Sequence, residues 1–312
     1  MNQDERNHSV VFPDMVVCSL NNYCDYSCDH CYYLAFSQLP EYKVEAMSPE
    51  MFDKITKEMA NYPESVLRLI AWGEPLLHPN FRELFSLARI NSPLNFKSLI
   101  TNGYWLNQEL AIFLMSEGLN LVEISLDAYD AESYQLVRSS PHKNAFEKVK
   151  NNIFDMIQAR NEGNFKTKIA LSFIVYNTPE SEEEFKKFES FWKGKVDEII
   201  PRPAHTFMGS TTKVRLLPAS RPPCYCLWAR CNISPAGKIS VCYNDWHNQN
   251  ILGDLEEEHT TISSVWQSES LNELRAGQLA GCFKGICENC KDYNPYAWQK
   301  PYENIIDRSK NS

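Results

Sequence analysis

The 312-residue sequence contains no apolar stretch long enough to cross a membrane and no run rich in lysine and arginine. Its formal net charge is −9, and a negative mean field repels a nucleic-acid backbone. The opening residues MNQDERNHSV are polar and lack the hydrophobic core of a secretory signal. We therefore expect a cytoplasmic protein that acts on a small molecule or a peptide, with neither nucleic acid nor membrane as a partner.

Cysteine is absent from residue 32 to residue 223, and the eleven cysteines of the chain lie on either side of this gap. The first group runs from Cys18 to Cys31, and the second from Cys224 to Cys290. Because thiols stay reduced in the cytosol, disulfide bonds do not account for two such groups. The clustering instead predicts metal or iron–sulfur centres.

Six short apolar runs alternate with amphipathic stretches over residues 15–205. The predicted strands are 15–20, 65–73, 96–103, 121–127, 168–176 and 196–203, and predicted helices include 49–61, 108–117, 144–160 and 182–193. Near-continuous hydrophobic strands of this kind indicate a buried parallel sheet. The pattern alone is compatible with an open doubly wound sheet and with a partial barrel.

The alternation of predicted strands and helices ends after residue 203. The proline-rich segment 215–224 is typical of a linker, residues 231–242 predict a hairpin, and residues 262–279 predict one helix. This C-terminal segment is too short for a sizeable hydrophobic core of its own, and units of this size usually need a bound metal or another cross-link for stability. We divide the chain into a β/α domain (15–205), a linker (206–223), a cysteine-rich unit (224–295) and a tail (296–312).

The first cysteine group contains Cys24, Cys28 and Cys31 with the spacing C-x3-C-x2-C, directly after the first predicted strand. Active sites of β/α folds lie at this carboxyl edge. Thiolates suit iron–sulfur clusters, and a four-iron cube held by three cysteines leaves one iron open to a substrate. A zinc site that borrows His30 and a fortuitous group of structural cysteines are the alternatives.

This loop resembles the signature of the radical S-adenosylmethionine (SAM) superfamily, C-x3-C-x-aromatic-C, with His30 at the aromatic position. The resemblance implies a partial (β/α)6 TIM-like barrel whose open iron binds the amino and carboxylate groups of SAM. It also implies that an electron from the [4Fe–4S] cluster cleaves SAM, and that the resulting 5′-deoxyadenosyl radical abstracts a substrate hydrogen atom. The implied electron donor is a flavodoxin- or ferredoxin-type protein.

Further motifs at predicted strand ends agree with this family. AWGEPLLHP, residues 71–79, resembles its G-G-E-P motif, with Trp72 where glycine is usual. The resemblance implies that Glu74 accepts a hydrogen bond from the SAM ammonium. The implied cofactor-binding residues are Tyr32, Gly73, Glu74, Asn102, Ser125, Asp127 and Arg138. Taken singly, several of them also suit ordinary roles in turns, helix caps, packing and solvated surfaces.

The second cysteine group contains a C-x2-C pair, which suits one metal centre, and from the residues alone zinc and an iron–sulfur cluster fit equally. Its pattern C-x17-C-x44-C-x2-C resembles the twitch form of the SPASM domain, which holds one auxiliary [4Fe–4S] cluster. The implied ligands are Cys224, Cys242, Cys287 and Cys290, with Cys282 as an alternative to Cys224. The spacing is similar to that of the deoxy-scyllo-inosamine dehydrogenases.

Two reactions suit a substrate radical beside a second cluster. Loss of a proton and an electron dehydrogenates a small sugar or aminocyclitol, with His205 and Arg202 as candidate base and anchor. Hydrogen transfer from a spare thiol such as Cys226 instead gives an epimerase or an enzyme that modifies ribosomal peptides. A non-enzymatic iron–sulfur or zinc-binding module is the third hypothesis.

Overall fold

In the computed structural model, six parallel strands lie side by side in one sheet in the order of the sequence. The structure describes residues 11–70, 72–176, 178–204 and 221–293. The strands are β1 Met15–Ser19, β2 Val66–Ile70, β3 Lys97–Thr101, β4 Leu121–Ser125, β5 Lys168–Val175 and β6 Glu198–Pro203. Each pairs with the next strand along the chain. A doubly wound sheet would change direction at a switch point, so this strand order confirms the predicted partial (β/α)6 barrel.

Seven helices connect or follow these strands in the described residues. They are α1 Tyr33–Phe36, α2 Pro49–Met59, α3 Phe81–Asn91, α4 Gln108–Ser116, α5 Ala131–Arg138, α6 Ala145–Glu162 and α7 Pro179–Trp192. Helix α7 begins three residues before its predicted start because the Thr178 side chain accepts a hydrogen bond from the Ser181 amide and caps the helix. No helix in these ranges has the length and apolar composition of a membrane span.

The cysteine-rich end continues the same sheet. Its elements are α8 Cys226–Ala229, β7 Arg230–Ile233, β8 Lys238–Ser240, β9 Ile251–Asp254, α9 Ile262–Trp266 and α10 Glu269–Leu279. Strand β7 pairs in parallel with β1, which gives the nine-stranded order β6-β5-β4-β3-β2-β1-β7-β8-β9. The C-terminal hydrophobic side chains, Trp228 and Trp266 among them, therefore join the core of the barrel.

The single helix expected over residues 262–279 was a wrong prediction. The structure has α9 and α10 there, and the Ser268 side chain accepts a hydrogen bond from the Leu271 amide. A serine in this position begins a new helix, because its hydroxyl satisfies an amide that has no partner in the first turn. The polar residues 267–270 interrupt the apolar periodicity between Trp266 and Leu271, and the single-helix prediction overlooked this signal.

The strands have two different faces. The outer face, which includes Leu67, Leu69, Val122 and Ile124, packs in the main core with the helices. The opposite face, which we call the concave face, carries an apolar layer of Met15, Val17, Val66, Leu121, Ala170 and Ile200, with Tyr225 and Ala229 against it. Strand alternation puts the polar residues Arg68, Ser98, Glu123, Ser125, Ser172, Arg202 and Asn232 on the same face.

Helix α2 joins the barrel to the C-terminal elements. The two Glu58 carboxylate oxygens accept hydrogen bonds from the amides of Ile262 and Ser263, each at 2.8 Å, in the first turn of α9. The Lys54 ammonium donates to the Leu255 carbonyl at 2.6 Å. A carboxylate at a helix N-terminus is stabilised both by these hydrogen bonds and by the helix dipole.

We expect Glu58→Gln to lower the free energy of unfolding by about 1–2 kcal/mol, because it removes charge-assisted hydrogen bonds to two helix amides. The check is the urea midpoint of the anaerobically reconstituted protein. Glu109→Gln is the matched control, because Glu109 is 80% exposed and its ion pair with Arg82 is a surface pair. A midpoint no lower for Glu58→Gln than for this control would contradict the role of Glu58.

Candidate functional site

Cys24, Cys28 and Cys31 of the first cysteine group lie in the loop between β1 and α1. The Cys24 sulfur accepts a hydrogen bond from the amide of Tyr26, and the Cys31 sulfur from that of Tyr33, both at 3.4 Å. Burial raises the pKa of the Cys28 thiol to about 12. Iron must therefore displace protons when it binds, while amide donors two residues after a cysteine stabilise the resulting thiolate.

The Asp25 carboxylate ties this loop to the barrel. It accepts hydrogen bonds from the Trp105 indole at 2.8 Å and from the side-chain amide of Asn102 at 3.4 Å. It also lies 2.7 Å from Nε2 of His142. The His142 ring stacks on Tyr104, with ring centroids 4.0 Å apart. Our sequence analysis missed Asp25 and His142. The position of Asp25 directly after a cysteine of the loop was the available signal.

Gly73 lets the strand-end motif approach the cysteine loop. A Cβ atom at this position would lie 1.8 Å from the Tyr23 carbonyl oxygen, so only glycine fits without moving the backbone. The Glu74 amide donates to the same carbonyl at 2.9 Å. The backbone of the G-E-P segment is thus fixed against the loop that carries Cys24.

The Glu74 carboxylate is 2% exposed and is surrounded by donors. It accepts hydrogen bonds from the Thr101 hydroxyl at 2.6 Å, the Asn102 amide at 2.7 Å and the Leu76 amide at 3.0 Å. Burial raises the pKa of Glu74 to about 7, against the lowering effect of these donors. Three donors use three of about four acceptor positions of a carboxylate, so the geometry has room for one further donor.

Asp127, Arg138 and His30 form a buried group beside the loop. The Arg138 guanidinium donates to the Asp127 carboxylate at 2.7 Å, and Nε2 of His30 lies 3.6 Å from the same oxygen. Asp127 adopts a φ of +56°, and its other oxygen accepts from the Ile174 amide at 2.8 Å. Burial would lower the pKa of Arg138, but Cys28 and Asp127 raise it above its usual value. The cation therefore stays charged next to a cysteine of the loop.

Aromatic side chains join the first cysteine loop and the end of β2 to the segment after Cys242. The Trp72 indole donates to the Tyr243 carbonyl at 2.9 Å, and its ring stacks on Trp246 with centroids 5.6 Å apart. The Tyr32 hydroxyl lies 2.8 Å from Nε2 of His247. We call these four side chains, Tyr32, Trp72, Trp246 and His247, the aromatic bridge. Tyr32, expected to bind the cofactor, is thus part of this bridge.

The second cysteine group also gathers in the structure. The pKa of Cys242 is raised by burial and then by the neighbouring thiols of Cys226, Cys290 and Cys287. The Cys242 sulfur accepts from the Asn244 amide at 3.5 Å, and the Cys290 sulfur from the Asp292 amide at 3.3 Å. In both cysteine groups, therefore, the backbone amide two residues after a cysteine donates a hydrogen bond to the sulfur of that cysteine.

Cys224 and Cys226 both lie at this second group. The Cys224 amide donates to the Gln278 side chain at 2.7 Å, and Gln278 also hydrogen-bonds Cys287. Cys226, expected as a spare thiol, adjoins Cys242. Cys282 is exposed. No three His, Cys, Asp or Glu side chains of the described ranges are arranged as a site for a single metal ion.

Two of the remaining predicted residues, Ser125 and Arg202, lie on the concave face. Ser125 ends β4, and its hydroxyl accepts from Ser172 at 3.4 Å. Arg202, near the carboxyl end of β6, is bound to Glu123. His205 lies outside the described residues. The sequence analysis missed Glu123, although a lone carboxylate in an otherwise apolar strand was a signal.

Two family models match this chain. That of the radical SAM superfamily covers residues 18–191, and that of SPASM, an iron–sulfur cluster-binding domain, covers residues 224–291. The chain belongs to the radical SAM superfamily. The predicted family, the SPASM region and the cofactors, SAM and [4Fe–4S] clusters, are thereby confirmed. The sulfur donors and their amide hydrogen bonds fit such clusters.

Curated relatives of this radical SAM enzyme share only part of its length. It is 27% identical to a probable GTP 3′,8-cyclase of Methanosarcina mazei over 179 residues. This alignment covers 57% of this chain and 51% of the relative. It is 26% identical over 138 residues to an AdoMet-dependent heme synthase of Methanosarcina barkeri, which covers 44% and 37%. The match thus spans about half the length of the first relative and a smaller share of the second.

Solved structures share the fold at low sequence identity. Native anSMEcpe with bound AdoMet has a TM-score of 0.66 at 15% identity and covers 95% of this chain and 97% of its own. BtrN in complex with AdoMet and 2-DOIA has a TM-score of 0.59 at 14% identity and covers 89% and 93%. Streptococcus suis SuiB bound to the precursor peptide SuiA has a TM-score of 0.65 at 14% identity and covers 86% and 68%.

We expect about eight irons per anaerobically reconstituted chain, four for each of two clusters. Cys28→Ala should leave about four irons and abolish 5′-deoxyadenosine formation, because the first cluster loses one of three ligands. Iron and sulfide analysis and chromatography of the SAM products measure both results. Cys18→Ala is the matched control, since Cys18 is buried in β1 and should leave iron content unchanged. 5′-Deoxyadenosine from Cys28→Ala would contradict the loop assignment.

Proposed function

We propose that this radical SAM enzyme dehydrogenates an alcohol carbon of a small sugar or aminocyclitol. When bound, SAM and the first cluster would supply a 5′-deoxyadenosyl radical to take a hydrogen atom from the carbon, and the second cluster would serve as acceptor for the remaining electron when the hydroxyl loses its proton. We assign Cys24, Cys28 and Cys31 to the first cluster. We assign Cys242, Cys287, Cys290 and Cys224 to the second, with Cys226 as the alternative fourth ligand.

The aromatic bridge is the observation that carries this proposal. Oxidation needs a path from the substrate site to an electron acceptor, and the bridge joins both the segment after Cys31 and the end of β2 to the segment after Cys242. The Tyr32–His247 contact makes the first connection, and the Trp72–Trp246 stack makes the second. The fixed approach of two cysteine groups supports an oxidation in which both take part.

The concave face supports a small hydroxylated substrate. Ser125 and Arg202 bring a hydroxyl and a guanidinium group to the carboxyl ends of β4 and β6, and Ser172, which pairs with Ser125, adds a second hydroxyl from β5. The serine hydroxyls donate to and accept from substrate hydroxyls, and the guanidinium donates to them. The apolar layer with Tyr225 closes the amino end of this face, so a compact substrate fits better than an extended chain.

Epimerisation is the second candidate, and the position of Cys226 favours it. Five cysteines gather where a cluster uses four, so one thiol remains as a hydrogen-atom donor. A thiol hydrogen atom delivered to the opposite face of a substrate radical inverts the carbon without net oxidation. A peptide substrate would suit this reaction as well as a small molecule.

We expect Cys242→Ala to retain 5′-deoxyadenosine formation and to lose the carbonyl product, because it removes a ligand of the electron acceptor only. The assay is anaerobic turnover of 2-deoxy-scyllo-inosamine with dithionite as reductant, followed by mass spectrometry of both products. Cys231→Ala is the matched control, since Cys231 is buried in β7 and packs in the main core. Equal carbonyl yields from Cys242→Ala and this control would refute electron transfer to the second cluster.

A parallel reaction in D2O separates the two candidates. Oxidation gives a carbonyl product whose oxidised carbon has lost its hydrogen. Epimerisation gives a product of unchanged oxidation state that carries one deuterium at the inverted carbon, because the thiol has exchanged with solvent. Deuterium at an inverted carbon, together with loss of that label in Cys226→Ala, would replace the proposed dehydrogenation by the epimerase.

A further inference from the structure

We propose that Arg221 and Gln278 raise the reduction potential of the second [4Fe–4S] cluster and thereby make it a better electron acceptor. The inference rests on the proposed function only in assigning Cys224, Cys287 and Cys290 to that cluster. Both residues act through the cluster ligands, so they are positioning residues. Three observations carry the inference: the position of a guanidinium group, a donor on that group without a partner, and a buried amide between two of the cysteines.

The Arg221 guanidinium is held against the C-x2-C loop, residues 287–290. It donates a hydrogen bond to the Glu288 carbonyl at 3.1 Å, and Glu288 belongs to that loop. Its Cζ atom lies 3.8 Å from the ring centroid of Phe283 and 5.3 Å from that of Tyr293. A guanidinium is attracted to aromatic rings at such distances, so these contacts fix the positive charge beside the loop.

The charge of Arg221 acts on both cysteines of this loop. Burial raises the pKa of the Cys287 thiol and of the Cys290 thiol, and Arg221 opposes the rise in both. Nε of Arg221 is buried and has no hydrogen-bond partner among the described residues. Buried polar atoms are nearly always bonded, so this N–H group is a donor available to a sulfur atom of the bound cluster.

Gln278 connects Cys287 to the segment before α8. This buried side chain lies in the last turn of α10, and its oxygen accepts a hydrogen bond from the Cys224 amide at 2.7 Å. Burial raises the pKa of the Cys287 thiol, whereas the hydrogen bond with Gln278 lowers it. A hydrogen bond that favours a thiolate is one donated to it, so the Gln278 amide nitrogen is the donor to the Cys287 sulfur.

Reduction adds a negative charge to the cluster. A nearby cation and donors to the ligand sulfurs therefore stabilise the reduced form and raise the potential. Asp292 acts against this effect, because its carboxylate is buried beside Cys290, although its amide donates to the same sulfur. A variant without the Arg221 charge keeps Asp292, so we expect its potential to fall clearly.

Electrochemical titration of the anaerobically reconstituted enzyme, followed by electron paramagnetic resonance, measures this potential. SAM binds the open iron of the first cluster and alters its signal, so the signal that SAM leaves unchanged reports the second cluster. We expect Arg221→Gln to lower the one-electron reduction equilibrium constant at least about tenfold, which is a fall of about 59 mV in midpoint potential. Arg221→Lys keeps the charge and should retain most of the potential.

Lys284→Gln is the matched control. It removes the same charge from an exposed position in the same segment, where water and salt screen it, so we expect a much smaller fall. Gln278→Met keeps a side chain of similar length without the donor and should also lower the midpoint potential. A midpoint in Arg221→Gln no lower than in the control would overturn the assignment.

Iron analysis of each variant checks that both clusters are present. If Arg221→Gln loses the second cluster, the midpoint of Gln278→Met decides: a fall supports the assignment, and an unchanged value overturns it. Loss of the second cluster in both variants would replace the proposed tuning by a structural role.

These potentials are measured without substrate, so they are independent of the reaction. A lowered midpoint in Arg221→Gln, with no carbonyl product from the unaltered enzyme, would refute the dehydrogenation alone. An unchanged midpoint, with a carbonyl product, would refute the tuning alone.

Discussion

The parallel pairing of β1 with β2 on one edge and β7 on the other is the constraint on which the rest of this structure depends. All five residues of β1 are buried, and the loop that leaves its carboxyl end carries Cys24. Strand β7 leads into the hairpin that ends at Cys242, so one strand sets the relative position of both cysteine groups. A one-residue slip of β7 would turn Asn232 into the outer core and Cys231 onto the concave face.

Charge around the first loop is balanced by fixed donors. Glu74, Asp25 and Asp127 place three carboxylates near the cysteines, and each accepts hydrogen bonds from groups on the barrel. Burial and then the Glu74 charge raise the pKa of Cys24, whereas Arg138 lowers that of Cys28. Since SAM carries a sulfonium charge, a carboxylate-rich edge attracts it, and Arg138 offsets part of the repulsion that the thiolates meet.

Much of the fold followed from local sequence patterns. Six apolar runs predicted six parallel strands, and the spacing of Cys24, Cys28 and Cys31 marked the loop after the first. Local patterns do not report which distant strands pair, so the β7–β1 contact was not predicted and the C-terminal unit was expected to stand apart. The Arg68–Glu123 pair was missed for the same reason, because its partners lie 55 residues apart and meet only across the sheet.

Trp72 shows how a departure from the family motif is accommodated. Its amide donates to the Asn21 carbonyl at 3.1 Å, and the Glu74 amide donates to Tyr23, so the backbone of the motif keeps its contacts with the cysteine loop. The indole is 5% exposed and packs on Trp246 in the C-terminal unit. A side chain in place of glycine therefore leaves the strand-end backbone intact and adds a contact between the barrel and the second cysteine group. A buried indole contributes both buried apolar surface and a stacking contact. Tryptophan at this position therefore stabilises the contact between the end of β2 and the segment after Cys242, which a glycine would not provide.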